Sequence, residues 1–172
     1  MAEAFLRHRL EGRSVDVDVG SAGLRLVGEP ASANGVDVLR ERGLDLSAHR
    51  SRIVDRQLLE GTDLALAMAR EHLREAVLAR PDIWPRAFTL KELVRRGGAI
   101  GPRAPGESID AWLARVHSGR NRAELLGSSR DDDVDDPIGL DRSAYMKTAD
   151  ELSALVDRLV DLMWPAAVEE SA

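Results

Sequence analysis

The chain has 172 residues, of which 44% are apolar and 31% are charged, as expected for one globular domain with a sizeable core. Its net charge of −6 argues against nucleic acid or a membrane surface as a partner, because both attract basic patches. The sequence contains no cysteine, so it can form no disulfide, zinc–thiolate site or thiol nucleophile. No secretory leader or bilayer-spanning run is evident, and we expect a cytoplasmic protein without metal or cofactor.

The first third of the chain combines helical and strand patterns. Apolar residues at helical spacing from Ala2 to Leu10 predict an opening amphipathic helix, in front of which no capping residue stands. Strict alternation over residues 15–19 predicts a strand with one buried face. A glycine-rich loop and a second helix follow, and Gly43 has the position of a left-handed residue at a helix end.

The middle of the chain indicates two further strands. The continuous apolar run 64–69 is typical of an interior strand of a parallel sheet, buried on both faces. A helix is predicted over residues 71–80, followed by a short strand at 87–88. Thr89 is then predicted to cap a helix that ends at the glycine pair 97–98.

The remaining segment is predicted to be rich in loops first and helical last. Residues 97–130 are predicted to be rich in loops, because 97–106 are rich in glycine and proline, although 107–117 has the spacing of a short helix. An apolar stripe over 152–163 predicts a last helix, for which Thr148 and Glu151 offer a capping box unless the helix begins a turn earlier. Strands that alternate with helices indicate one α/β domain over the whole chain, with a mostly parallel sheet.

Motifs for several other chemistries are absent. The glycines at 97–101 have the wrong spacing for a nucleotide-binding loop. The acidic stretch 131–136 partly fits a calcium-binding loop, but Asp136 stands where glycine is required and Arg142 where glutamate is required. A solvated acidic loop is therefore the better interpretation. A hydrolase triad of Ser21, His49 and Asp136 is conceivable on residue types alone.

Five segments, read in chain order, resemble the low-molecular-weight protein tyrosine phosphatase family. They are Met1-Ala2-Glu3-Ala4, Val19-Gly20-Ser21-Ala22-Gly23, His49-Arg50-Ser51-Arg52, Asp63-Leu64-Ala65-Leu66-Ala67-Met68 and Asp135-Asp136-Pro137-Ile138-Gly139. In that family a first strand leads into a Cys-x5-Arg loop, whose thiolate attacks phosphorus and whose arginine binds the phosphate oxygens. The resemblance covers nearly the whole chain.

The resemblance implies a three-layer α/β fold with helices on both faces of a mostly parallel sheet in strand order 2-1-3-4. It places residue 1 just after the Cys-x5-Arg loop. The first, central strand, the nucleophile and the arginine therefore have no counterpart in this sequence. The missing cap in front of the first helix agrees with this alignment.

By resemblance, Asp136 is the general acid that protonates the leaving oxygen and afterwards activates water. Ser21 and His49 match family positions that brace the nucleophile loop by hydrogen bonds. Ile138 stands where the family commonly has an aromatic residue that lines the substrate phenol. An intact form is expected to act on phosphorylated protein or on small aryl phosphates.

We therefore expect a protein tyrosine phosphatase-like chain that begins too late, at an internal methionine, and that is catalytically inactive as it stands. The alternative is a non-catalytic pseudophosphatase that serves as a binding or regulatory module, and an unrelated α/β interaction domain is a third possibility. The missing strand also predicts an exposed apolar edge at residues 64–69. Such an edge favours poor solubility, partial loss of packing or self-association.

Overall fold

Helices dominate the structure, a computed structural model that describes residues 1–13 and 15–165. The α-helices are α1 (Ala2–Glu11), α2 (Ala33–Arg40), α3 (Arg56–Leu59), α4 (Arg70–Ala79), α5 (Leu90–Ile100), α6 (Ile109–His117) and α7 (Arg142–Met163). The strands are β1 (Ala65–Ala67) and β2 (Ala87–Thr89), and 3-10 turns occupy Pro81–Arg86 and Arg122–Leu125. None of the helices within the described ranges is both long and apolar enough to cross a membrane.

The two strands form a parallel pair in which Leu66 lies opposite Phe88. Helix α4 connects them, which is the crossover that parallel neighbours require. All three residues of β2 are buried, whereas β1 is only half-buried. The sequence predicts that residues 64–69 form a strand buried on both faces. The strand exists, but it is shorter, Ala65–Ala67, and only half-buried. Within the described ranges, no strand is hydrogen-bonded to the other edge of β1.

The main core lies where α7 packs against α1, α2 and α5. The apolar stripe predicted for the last helix supplies much of it, including Leu152, Val156 and Leu159. A smaller core lies beneath α4 and the Pro81–Arg86 turn, around Ile83 and Leu73. The α/β alternation read from the sequence is thus confirmed, with aliphatic side chains forming most of both cores.

Residues 15–19 do not form the predicted strand. They have no strand geometry, and Val17 is 39% exposed. Alternation marks a segment that could lie on a sheet, but a strand exists only where a neighbour accepts its backbone hydrogen bonds. The carbonyl of Val19 instead accepts a hydrogen bond from the Arg7 guanidinium, at 2.9 Å from Nε.

Helix α5 does not end at the glycine pair 97–98, as predicted, but continues to Ile100. A Cβ on Gly97 would lie 2.9 Å from the Trp112 ring, so this glycine allows α5 and α6 to approach closely. The left-handed residue that ends the helix is Gly101, with φ of 90°. The start of α5 agrees with the prediction, since the Thr89 hydroxyl accepts the backbone N–H of Glu92 at 3.1 Å.

Segment 97–130 contains more regular structure than its composition indicates. It includes the end of α5, the whole of α6 and the Arg122–Leu125 turn. The short helix predicted at 107–117 is confirmed as α6, which begins at Ile109 after the capping side chain of Ser108. Residues 166–172, which the single-domain prediction also includes, lie outside the described ranges.

The capping box predicted at Thr148 and Glu151 is wrong. Helix α7 begins at Arg142, and the Asp141 carboxylate caps it by accepting the backbone N–H of Ala144 at 3.0 Å. Thr148 lies buried inside the helix, and its hydroxyl donates to the carbonyl of Asp135 at 3.3 Å. This threonine therefore ties the last helix to the acidic loop in front of it.

Candidate active site

Glu3 joins the start of α1 to the two predicted bracing residues. Its carboxylate accepts a hydrogen bond from the Ser21 hydroxyl, and its Oε2 lies 3.9 Å from Nδ1 of His49. The other oxygen pairs with Nη2 of Arg7 at 2.8 Å. The side chain is 18% exposed, and it lies in the first turn of α1, where the helix dipole favours a negative charge. The structure thus brings Ser21 and His49 together through one shared carboxylate.

The backbone around Ser21 is held from two sides. Arg7 of α1 donates to the carbonyl of Val19, and Nε of Arg52 donates to the carbonyl of Ser21 at 2.7 Å. The Arg52 guanidinium passes so close to Gly20 that a Cβ there would lie 2.2 Å from Nη2. A side chain at position 20 would therefore have to displace the end of the Arg52 side chain, which together with Arg7 holds the backbone around Ser21.

Asp136 lies on a separate, exposed segment of the molecule. Its Oδ1 accepts the backbone N–H of Ile138 at 3.0 Å, which forms a local turn around the buried Pro137. Within residues 1–13 and 15–165, no hydrogen bond links Asp136 to Ser21 or His49. The triad that these residue types allow is therefore not assembled here.

The loop that carries Asp136 is anchored by a buried carboxylate. Asp132 is 5% exposed and pairs with Nη2 of Arg70 at 2.7 Å and with Nη2 of Arg95 at 2.8 Å. Burial by itself would raise the pKa of Asp132, but the hydrogen bonds from Arg95 and Arg70 outweigh it and hold the pKa below its ordinary value. Asp132 is thus an ionised anchor between α4, α5 and the loop.

Backbone and side-chain bonds of Asp133 and Val134 complete the anchor. The Asp133 carboxylate accepts the backbone N–H of Arg70 at 2.7 Å, at the start of α4, and its carbonyl accepts from Lys91 at 2.6 Å. The N–H of Val134 donates to the carbonyl of Met68 at 2.8 Å, just beyond β1. The interpretation of residues 131–136 as a solvated loop is therefore wrong for its centre, although Asp131, Asp135 and Asp136 are exposed.

The described residues contain no cluster of three or more histidine, cysteine, aspartate or glutamate side chains that could hold a metal ion. The histidines lie apart: His49 is near Glu3, while His117 lies at the end of α6 against the rings of Trp84 and Phe88. The exposed carboxylate of Asp136 lies on a loop that Asp132 and Asp133 anchor, and a carboxylate in this setting is suited to acid–base chemistry.

A family model described as low molecular weight phosphotyrosine protein phosphatase matches residues 1–98 of the chain, which is more than half of it. The chain belongs to this family. A probable low molecular weight protein-tyrosine-phosphatase, EpsP of Ralstonia solanacearum, is 36% identical over 132 residues, covering 69% of this chain and 87% of that protein. A protein-arginine-phosphatase of Geobacillus stearothermophilus is 29% identical over 163 residues, covering 94% of this chain and 84% of the relative.

The fold gives the same result. A crystal structure of a low molecular weight protein tyrosine phosphatase from T. tengcongensis superposes with a TM-score of 0.68 at 32% identity, over 93% of this chain and 87% of that one. The resemblance read from five short segments is therefore confirmed at the level of the family and of the α/β fold.

Within this phosphatase fold, sequence reasoning missed the role of Glu3. The residue is part of a segment that carries the resemblance, Met1-Ala2-Glu3-Ala4, but nothing in that segment indicates which side chains the Glu3 carboxylate contacts. A signal was present, because an acidic residue in the first turn of a helix is suited to receive donors from a neighbouring loop. Arg52 is likewise part of a segment that carries the resemblance, His49-Arg50-Ser51-Arg52, whereas Arg7 carried no comparable signal, since arginines are dispersed through the chain.

Proposed function

We propose that this chain supplies two parts of a phosphomonoester hydrolase: the loop that carries the general acid, Asp136, and the residues that brace the nucleophile loop, Ser21 and His49. Without a Cys-x5-Arg loop, we propose that it is catalytically inactive. The observation that carries the proposal is a family fold with an exposed Asp136 next to the buried Pro137, in a sequence that contains no cysteine. In that loop chemistry the thiolate is the nucleophile and forms the covalent bond to phosphorus, and this sequence supplies no thiol.

In the catalytic form, we infer that the loop precedes residue 1 and joins the start of α1. The Glu3–Ser21–His49 cluster lies at that helix end. One edge of β1 has no hydrogen-bonded strand within the described ranges. These two features support an additional strand beside β1 and a loop that leads into α1. An N-terminal helix end also favours a bound phosphate through its free N–H groups.

The chemistry would then run in two steps. The thiolate attacks phosphorus while the bond to the leaving oxygen breaks, and the protonated carboxyl of Asp136 gives its proton to that oxygen. In the second step the Asp136 carboxylate takes a proton from water, whose oxygen displaces the thiolate from phosphorus. Phosphate is released, and both Asp136 and the thiolate return to their starting states.

Phosphotyrosine in protein or a small aryl phosphate is the first substrate class that we propose. A phosphoarginine substrate is the second, because a protein-arginine-phosphatase relative aligns with 94% of this chain. Ile138 favours the second class, since it is aliphatic and 67% exposed beside Asp136, where an aromatic residue would stack on a phenol. A non-catalytic regulatory module is the alternative to both.

The decisive experiment compares the 172-residue chain with a form extended by the upstream coding sequence. The extended form should hydrolyse aryl phosphates, and the 172-residue chain should remain at background. Asp136→Asn should lower the rate of the extended form by about 10²–10⁴-fold with phenyl phosphate, and by less with p-nitrophenyl phosphate, whose leaving group needs little protonation. Phosphoarginine tested in parallel distinguishes the two substrate classes.

Asp135→Asn is the matched control, because Asp135 is the exposed neighbour and has the same charge. Its effect should be small with every substrate. Equal losses for both variants, or equal losses across leaving groups, would show that Asp136 is not the acid. An in-frame stop codon close to residue 1 would favour the regulatory alternative. Phosphatase activity of the 172-residue chain that is lost in the Asp136→Ala variant would refute the proposal that this chain is inactive.

A further inference from the structure

A surface groove between α5 and α7 has an unusual concentration of positive charge. It has a volume of about 480 Å³. Its rim carries four cations and one carboxylate, namely Lys91, Arg95, Arg130, Arg158 and Asp131. The rim therefore has a net charge of 4 − 1 = +3, whereas the whole chain has a net charge of −6. A concave surface of one sign concentrates ligands of the opposite sign.

Two of the four cations already have acidic partners, and two do not. Lys91 pairs with Glu151 at 2.6 Å, and Arg95 pairs with Asp132 at 2.8 Å. Within residues 1–13 and 15–165, neither Arg130 nor Arg158 forms an ion pair. Both are exposed on the rim, so their guanidinium groups can engage an anion without first losing an acidic partner.

Arg158 approaches the facing helix at a glycine. A Cβ on Gly98 would lie 3.6 Å from Nη2 of Arg158, an ordinary contact distance, so the guanidinium lies against the surface of α5. Planar guanidinium groups bind two oxygens of one phosphate, which a lysine ammonium does not do.

The floor of the groove is apolar. Val94 is buried and Leu155 is half-buried, and both line the space between the basic rim residues. The volume lies in the range of small-molecule sites, which combine an apolar floor with a few charged groups. A bare inorganic anion would leave that floor uncovered. The chemistry therefore fits one anionic head joined to an apolar body.

We propose that this groove binds a small organic phosphate, with Arg158 and Arg130 on the phosphate and Val94 and Leu155 against its apolar body. The site goes beyond the proposed hydrolysis, and it does not depend on a nucleophile. Its occupancy is transmitted to the acidic loop, because Lys91 holds the carbonyl of Asp133 and Arg95 holds the carboxylate of Asp132. An anion held by Arg158 and Arg130 lies on the same rim as these two cations and changes the electrostatic surroundings of that loop.

The test uses the 172-residue chain and 1-naphthylphosphonate, which keeps a phosphate-like head on an aromatic body and cannot be hydrolysed. Calorimetry should show saturable binding, with weaker binding of inorganic phosphate and of neutral 1-naphthylmethanol. Arg158→Glu should weaken binding of the phosphonate by about tenfold or more. Arg56→Glu, the same charge change at an exposed arginine on α3, should leave it within about twofold.

Amide chemical shifts supply the second readout. Saturation with the phosphonate should move the resonances of residues 131–134, and the same shifts should be reduced in Arg158→Glu. If that variant loses its fold, Arg158→Gln should still weaken binding several-fold. The proposal is overturned by an absence of saturable binding, by equal weakening in Arg56→Glu, by loop resonances that stay in place, or by tighter binding of an acidic peptide than of the phosphonate.

Discussion

The carboxylate of Glu3 accepts a hydrogen bond from the hydroxyl of Ser21, 18 residues further along the chain. The same carboxylate lies beside His49 and pairs with Arg7, so one side chain connects the first helix to two loops. In the function proposed above, that helix end is where the nucleophile loop joins. The contact therefore gives the predicted bracing residues a shared anchor that neither of them supplies alone.

Removal of this anchor should lower stability. We expect Glu3→Ala to reduce the free energy of unfolding by about 1.5–3 kcal/mol, because it leaves the Ser21 hydroxyl and the Arg7 guanidinium without their shared acceptor. Glu11→Ala is the control on the same helix, where an exposed pair with His8 should contribute at most about 0.5 kcal/mol. Urea unfolding of both variants measures the difference, and equal effects would contradict a special role for Glu3.

The buried pair of Arg120 and Glu92 should be among the most sensitive positions. The Arg120 side chain is fully buried, donates to Glu92 at 2.7 and 2.9 Å, and lies over the rings of Trp84 and Phe88 at 3.8 and 3.9 Å. Arg120→Met leaves a buried carboxylate without its partner. We expect it to destabilise the fold by about 3–5 kcal/mol.

Two further variants separate the buried charge from the loss of packing. The double variant of Arg120→Met with Glu92→Met should recover part of the loss, because both charges are then removed together. Arg115→Met breaks a more exposed pair with Glu107 and should have a much smaller effect on stability. A double variant no more stable than Arg120→Met would mean that packing around the guanidinium, and not the unpaired carboxylate, dominates.

Stability should decrease at mildly acidic pH because of His117. Burial, with the positive charges of Arg120 and Arg96, lowers the pKa of His117 below its ordinary value of 6.5. The unfolded chain then binds more protons than the folded chain, so stability present above about pH 6.5 is lost as the pH falls below it. Urea unfolding between about pH 7.5 and pH 5.5 should show this slope, and His117→Gln should reduce it. An unchanged slope in the variant would assign the effect to other groups.

The open edge of β1 should cause self-association of the 172-residue chain. Within the described ranges β1 is bonded on one side only, and unpaired backbone groups of a strand edge favour addition of another strand. Sedimentation should show an average mass that rises with concentration, whereas the upstream-extended form should remain monomeric under the same conditions. A short chain that is monomeric throughout, with one cooperative thermal transition, would show that the edge is protected or that no strand is missing from it.

Several elements could be predicted because their signals are local. The stripe of α7, the hydroxyl cap of Thr89 and the left-handed Gly43 each depend on residues within a few positions of one another. The short runs that carry the resemblance to the phosphatase family were readable for the same reason. The turn at Asp136 and Pro137 is local in the same sense, because the Asp136 carboxylate accepts the backbone N–H of Ile138.

Other features depended on partners that are distant in the chain. Residues 15–19 have the alternation of a strand but no neighbouring strand, and Thr148 has the pattern of a cap but contacts Asp135 from inside a helix. The joining of Ser21 and His49 by Glu3, the burial of Asp132 between two arginines and the basic groove between α5 and α7 arise only when separate elements pack. The sequence by itself determined most of the helices and the family, because periodicity and short motifs are local, whereas tertiary packing decided which segments pair as strands and which charges are paired, buried or left at the surface.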